Sequence, residues 1–425
     1  MASNQKQNQS GQVLRVTSKI KPAVTKYYLK VSKRYRVLQL LLLLCLVLYI
    51  FIIVSAFGKF ITYDNMQYLL RDFDSITRTG DSEFSSIRYD RQNEQTFTVF
   101  KNGIAAAGKE SFSLYDSSGL RLCSDKLSYT DPVLVPSEKY LLLYDMGGKG
   151  YSVYNSMTRI ISRTEENKIV DGDMSDSGDF ILVTRSGETK YVVKHFNSAL
   201  SNTMNIYKDN YVLDAAISPD GGKIVIVSAV PSATDFDCEI ALHKAGDSEN
   251  AKKITLSRTM PLSVHFGEDG FTLLCDSGLY FYNEDGEAVS THTLSGMTLE
   301  YADLSAEYTV LAASENALGS ENRILVFDSN GTLLANDMLR ERVTGVAASG
   351  EKDDALAYVL TPDRVIRLTA AAQSDPTDDT APRYSGFEAA EEATNGEDVL
   401  AVCTAQKGVI ICTATEAYYL FNEWE

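Results

Sequence analysis

The amino-acid sequence predicts an all-β protein: a β-propeller of eight four-stranded blades, preceded by one transmembrane helix and a short amphipathic helix. Three observations carry this expectation. A hairpin pattern recurs along the chain, an aromatic-plus-turn signature follows each hairpin, and the repeat length is that of a propeller blade. The hairpin is clearest in "ISPDGGKIVIVS" (217–228), an apolar strand end, a tight polar turn and a second apolar strand. It returns in "VLVPSEKYLLLYD" (133–145), "DMSDSGDFILVT" (173–184) and "VHFGEDGFTLLCD" (264–276). Looser copies are "ADLSAEYTVLAAS" (302–314), "VAASGEKDDALAYVL" (346–360), "AVCTAQKGVIICT" (401–413) and "FTVFKNGIAAAG" (97–108). One hairpin alone buries little and is marginal in water, so each copy needs neighbours.

The second signature ends a third strand with an aromatic residue and then Asp or Asn: "SLYDSSG" (113–119), "SVYNSMT" (152–158), "KHFNSAL" (194–200), "YFYNEDG" (280–286), "LVFDSNG" (325–331) and "YLFNEWE" (419–425). Asp, Asn and Gly close turns, through side-chain bonds to the backbone or tolerance of positive φ. Two copies, "ALHKAGD" (241–247) and "IRLTAAA" (366–372), lack the aromatic pair. The turns repeat every ~39 to 53 residues, a four-strand blade period and not that of a helical solenoid. The last copy stops after its third strand. "SSIRYD" (85–90), extended and without its own hairpin, is placed to supply the missing outer strand and close the ring. Seven blades is the alternative, because the first and last copies match the pattern most poorly.

Ahead of the repeats, "VLQLLLLLCLVLYIFIIVSAF" (37–57) has no charge. As a helix it would span roughly 31 Å, about a bilayer's hydrocarbon thickness. It is longer and later than a signal-peptide core, so it reads as an uncleaved anchor, although "VSA" (54–56) resembles a cleavage site. Residues 1–36 hold Lys6, Arg15, Lys19, Lys21, Lys26, Lys30, Lys33, Arg34 and Arg36, while all 57 acidic residues follow the run. Positive flanks stay inside. The expected arrangement is therefore a basic cytoplasmic tail (1–36), a single-pass helix (37–57), a stalk with an amphipathic helix (58–84) and an extracellular propeller (85–425). The tail would also meet anionic headgroups of the bilayer. The acidic remainder argues against nucleic acid as a ligand. Within the propeller, 373–398 breaks the repeat with many acids, and is expected to be a flexible loop rather than a strand.

Motifs for chemistry are sparse. "DGDMSDSGD" (171–179) fails the helix–loop–helix calcium pattern, with Asp176 at the required glycine and Leu182 at the closing glutamate position, so it reads as a turn. His195, His243, His265 and His292 lack metal-ligand spacing, and they read as structural. No G-x-S-x-G or phosphate-cradling loop occurs. Cys123, Cys238, Cys275, Cys403 and Cys412 read as small buried hydrophobes, with Cys403 and Cys412 diagonal in their hairpin. No catalytic, cofactor-binding or metal residue and no cofactor is assigned. A glycosidase-like carboxylate pair stays open among so many acids.

The "SPDGGKIVIVS" unit resembles those of WD-repeat-like and surface-layer propellers, and the "YDSSG" and "FDSNG" turns resemble those of quinoprotein-type propellers. With its single span, the chain is similar to a family of membrane-anchored, extracytoplasmic β-propeller proteins of Gram-positive bacteria. The resemblance implies the fold of 85–425 and little about activity. Quinoprotein dehydrogenases carry recurrent tryptophans, whereas this chain has only Trp424, so their cofactor chemistry is not carried over. The sialidase S-x-D-x-G-x-T-W box is missing too. The functional expectation is a non-enzymatic protein-interaction scaffold of the cell envelope, with an envelope or membrane protein as partner. The alternative is a small-ligand sensor or enzyme with its site in the central channel; convergent His, Arg and acidic groups there would favour it.

Overall fold

A computed structural model describes residues 22–57, 86–91, 95–348, 355–369, 387–389 and 399–421, apart from short gaps at 102, 117–118, 305–307, 315–320, 363–364 and 406–407. Two compact units, Met1–Ile61 and Thr62–Glu425, make up the chain. In the second, thirty-two strands form eight four-stranded antiparallel sheets. Blades 1 to 7 occupy 96–126, 132–164, 169–208, 211–256, 261–293, 298–339 and 345–389 in sequence order. Blade 8 takes three strands from 401–421 and its outermost strand, Ser86–Arg88, from the other end of the chain. The expected count of eight and the expected closure both hold.

Burial explains why each strand has its composition. Second strands such as Leu141–Asp145 and Thr309–Ser314 are buried throughout, because both faces pack on neighbouring blades. Outer strands such as Asn202–Lys208 alternate between exposed and buried residues, as one-sided strands do. The buried apolar residues group between blades. Phe112, Leu114, Leu141 and Leu143 join blades 1 and 2; Val225, Val227, Leu273 and Cys275 join blades 4 and 5. No blade has a core of its own.

The turn signature is turn chemistry. Tyr115, Tyr154, Phe196, Tyr282 and Phe327 are buried at their third-strand ends. The following Asn197 accepts from the N–H groups of Ala199 and Ser201 (both 3.1 Å), and Asp328 from those of Asn330 and Thr332 (3.0 and 2.7 Å). In blade 4, which lacks the aromatic, Asp247 bonds Glu249 and Asn250 in the same way (3.2 and 2.9 Å). The third residue on is left-handed at Gly331 (φ 78°), where an added Cβ would lie 2.5 Å from the Phe281 ring. Leu200 takes the equivalent place with φ 60°, its side chain buried against Tyr151, Phe180 and Phe196.

The closing strand is short and well fastened. Ser86, Ile87 and Arg88 pair with Tyr418, Ala417 and Glu416. Ile87 is buried between blades 8 and 1, and Arg88 reaches Glu416 at 2.8 Å. Tyr89 then drops a buried ring against Phe97 and Tyr115, and its hydroxyl lies 2.7 Å from the carbonyls of both Thr413 and Glu416.

Three expectations need correction or delimiting. The segment 373–398 is not wholly an excursion, because Phe387–Ala389 pairs with Ile366–Leu368 as the outer strand of blade 7. Three residues with no repeat signature around them were too short to recognise. Among the cysteines, Cys238, Cys275 and Cys412 are buried, but Cys123 and Cys403 are only half-buried because they lie on first or outer strands. Cys403 pairs with Ile410 and Cys412 with Ala401, the diagonal placement expected. The expected cytoplasmic tail, up to residue 21, and the expected stalk helix lie outside the described residues.

The described residues of the first unit form the helix Pro22–Phe57. Among the described residues no helix is long and apolar enough to cross a membrane. The side chains described in this helix are those of 30–49, where Lys30, Lys33, Arg34 and Arg36 adjoin only the first part of the uncharged run. Those side chains are exposed on every face, Leu40 at 70% and Leu42 at 66%.

Closure by Ser86–Arg88 and Tyr89 has a direct test. Deleting 86–90 exposes the third strand of blade 8 and should lower the urea midpoint sharply, whereas deleting 1–58 should leave it in place. Tyr89→Phe, which removes the hydroxyl that reaches the buried Thr413 carbonyl, should cost about 1–3 kcal/mol. Equal midpoints for the two deletions would show that the ring does not depend on this strand.

Candidate functional site

The first strands of neighbouring blades approach one another around the axis, so they line the central channel. In blades 3 to 6 these strands share a register irregularity: between Ile169 and Asp171, Val212 and Asp214, Pro261 and Ser263, and Leu299 and Tyr301. A bulge re-aims the residues that follow it. Here it sets Asp171, Asp214, Ser263 and Tyr301 at one level of the channel, and Asp173, Ala216, His265 and Asp303 at the next.

The carboxylates at these levels bridge blades. Asp171 accepts from the Ala215 N–H of blade 4 (3.0 Å) and Asp173 from the Ile217 N–H (2.9 Å). Asp214 accepts from the Val264 N–H and the Ser263 hydroxyl of blade 5 (both 2.8 Å), and Asp303 from the Ala348 N–H of blade 7 (2.8 Å). Each bond joins the inner strands of adjacent sheets. The "DGDMSDSGD" reading is thereby corrected. Only Ser175–Asp179 closes the turn, whereas Asp171 and Asp173 are strand residues facing the channel. Their two-residue spacing in front of the turn was the available signal.

Crowding carboxylates in a channel wall shifts their protonation. Burial raises Asp171 well above the usual carboxylate range, and the nearby Asp214 carboxylate adds to the effect. Both groups converge on one donor, because Asp214 Oδ1 also accepts from the Ala215 N–H (2.8 Å). Asp171 also accepts from the Gly172 N–H (2.8 Å), and its burial beside the Asp214 carboxylate favours its protonated form. Burial pushes Asp173 up to about 7, against the pull of the Ile217 and Met174 N–H groups. Asp176, in the turn above, is raised by burial as well. His265 is lowered by burial, although Asp303, Asp214 and Asp176 favour its charged form.

The other histidines are tied into the blades. His195 pairs with Thr203 at 2.8 Å and lies 3.5 Å from Asp179. His292 donates to the Gly331 carbonyl at 2.6 Å, and His243 lies 3.5 Å from Lys208. Only His265 stands in the channel, and among the described residues it has no hydrogen-bond partner. No three His, Cys, Asp or Glu among the described residues are placed to hold a metal ion. A separate groove of about 530 Å³ opens between the outer strands of blades 5 and 6, lined by His292, Met297, Arg323, Phe327 and Asn336. What the channel wall can do chemically is hold and exchange a proton between carboxyl groups and present acceptors to a cation.

The raised Asp173 gives a pH test with a definite sign. Its folded-state value of about 7 lies above the unfolded value of about 3.9, so the folded state binds the extra proton. Wild-type stability therefore falls as pH rises from about 4 to about 7. Asp173→Asn keeps an acceptor for Ile217 and removes the titration. Its melting temperature should gain on wild type across that window and stay parallel above it. Parallel curves throughout would show that water in the channel cancels the burial effect.

Known proteins resemble the chain at the level of fold. The β-propeller domain of Myceliophteria thermophila Cps50 (Swd1) aligns at TM-score 0.45 and 10% identity, over 65% of this chain and 94% of that one. Kuenenia stuttgartiensis hydrazine synthase aligns at TM-score 0.45 and 11% identity, over 82% and 99%. Chaetomium thermophilum Raptor aligns at TM-score 0.48 and 14% identity, over 74% of this chain and 31% of its own length. No curated protein matches the sequence. A family model described as a family of unknown function, DUF5711, matches residues 77–353, more than half of the chain, and the chain belongs to that family.

Proposed function

We propose that the chain is a membrane-anchored, extracytoplasmic scaffold whose propeller presents a rigid ring to a protein of the cell envelope. The observation that carries this reading is the use made of the channel carboxylates. Asp171, Asp173, Asp214 and Asp303 each hold the next blade through its backbone N–H, so the polar groups nearest the axis serve ring rigidity. The anchor is supported by the uncharged run 37–57 inside the helix Pro22–Phe57, by the all-round exposure of its described leucines and by the basic flank before it. On this reading 1–36 stays in the cytoplasm, 37–57 spans the bilayer and 58–84 is a stalk.

A second reading, a ligand or reaction site in the channel, is favoured by one specific arrangement. Asp171 and Asp214 converge on the Ala215 N–H as a close carboxyl pair, and His265 lies on the neighbouring blade. The two readings separate experimentally. A scaffold tolerates Asp173→Asn or His265→Gln with its cellular phenotype intact, whereas a site loses function while the ring stays folded and still captures its partner.

Topology is tested on cells stripped of their wall. Added protease should digest 58–425 and spare an epitope placed in 1–36. A protected C-terminus would reverse the orientation and remove the envelope assignment.

A further inference from the structure

Blade 4 departs from its neighbours at one buried position. In the blades that carry it, the aromatic ring ending the third strand faces the preceding blade: Tyr154 packs between blades 1 and 2, Phe196 between 2 and 3, Tyr282 between 4 and 5. Phe196 stacks on Phe180 at 4.5 Å and Tyr282 on Phe271 at 4.8 Å, each on its partner in the ladder. In blade 4 the same register, opposite Ile224, belongs to His243. Its imidazole is buried, with the residue 3% exposed, and it faces the outer strand of blade 3.

What meets the ring there is a buried cation. Lys208, the last residue of the strand Asn202–Lys208, is 9% exposed, and its Nζ lies 3.5 Å from His243 Nε2. The other ring nitrogen, Nδ1, lies 3.4 Å from the Asp247 carbonyl, which can only accept. The proton of the neutral ring therefore sits on Nδ1, and Nε2 presents its lone pair to the ammonium. Further charged groups surround the pair: Glu239 on the strand of His243, Lys253 on the outer strand of blade 4, and the Asp247 carboxylate in the turn. Glu239 lies 3.4 Å from Lys253 and helps Lys208 keep its charge against the pull of burial. Burial and the Lys208 charge lower His243, while Asp247 favours its charged form.

We propose that His243 and Lys208 form an acid-released latch between blades 3 and 4. A proton arriving at Nε2 turns the acceptor into a donor and leaves two cations 3.5 Å apart in a buried seam. The segment that yields is Asn202–Lys208, an edge strand hydrogen-bonded to Tyr191–Phe196 on one side only. An unfolded chain takes up this proton near pH ~6.5, the folded one only at lower pH. The latch therefore holds at neutral pH and lets go as pH falls. Asp173 works in the opposite sense, so comparing variants at one pH isolates the latch. The inference does not depend on what the ring binds.

The test uses the full chain in lipid nanodiscs. Deuterium exchange at the imidazole C2 position, read by mass spectrometry, titrates His243 in wild type and in Lys208→Met. His243 should titrate below pH ~6.5 in wild type, and Lys208→Met should move it upward. Amide exchange of 202–208, corrected for the intrinsic effect of pH, should show protection falling severalfold between about pH 7.5 and about pH 5.5 in wild type. That fall should vanish in His243→Phe, which restores the ring of the sibling blades. It should be smaller in Lys208→Met, which removes the repulsion and keeps the burial. Circular dichroism checks that each variant keeps its sheet; if His243→Phe does not, the titration of His243 in wild type and Lys208→Met decides alone. A His243 that titrates at or above the ordinary value, or that ignores Lys208→Met, would overturn the latch. So would wild-type protection that stays constant with pH, or an equal acid loss in wild type and His243→Phe, which would assign the response to another group.

Discussion

Everything in the second unit depends on one constraint: a blade cannot bury its faces alone. Each apolar cluster is shared by two neighbouring sheets, so the stability of any blade is held at its two interfaces. An open row would leave two faces wet and two edges unpaired. The chain resolves this by carrying Ser86–Arg88 to the far end of the repeat, where Ile87 and Tyr89 fill the gap between blades 8 and 1. The fully buried second strands, the alternating outer strands and the continuous ring of cores follow from that closure.

The channel is shaped by the same requirement and carries its cost. Backbone N–H groups on inner strands face the axis and need acceptors. Aspartates of blades 3, 4 and 6 provide them for the blade that follows, 4, 5 and 7. Bringing carboxylates so close crowds them in a poorly solvated wall, which raises Asp171 and Asp173 above the usual carboxylate range. Blade 5 breaks the series, with Ser263 and His265 where blade 4 carries Asp214 and Ala216 and blade 6 carries Tyr301 and Asp303. That break gives the channel an uneven wall.

The fold was largely legible because its signals are local. The hairpin "ISPDGGKIVIVS" and the turns at Asn197 and Asp328 are short patterns whose chemistry is the same in every blade. Even the closing strand could be located, since a repeat that ends after its third strand demands a partner. The outer strand of blade 7 was not legible, because Phe387–Ala389 is three residues long inside an acidic segment. The channel was not legible for another reason. Asp171 and Asp214 meet only once a bulge in each inner strand has set their level, and nothing in one linear sequence announces that juxtaposition. Asp171 and Asp173 were absorbed into the turn beside them, and His265 looked no different from three histidines that the blades hold in place.

Closure through both ends of the chain also shapes how the protein comes to exist. Ser86–Arg88 is among the first propeller strands to be synthesised, and its partner Glu416–Phe421 is made last. The pairing spans almost the whole domain, which places it among the slowest kinds of contact to form. Until the ribosome releases the final strand, the ring stays open, with one blade incomplete and its edge available to other chains. Completion of synthesis thus becomes a physical condition for a sealed product, and a prematurely terminated chain is marked for proteolysis by the edge it cannot cover.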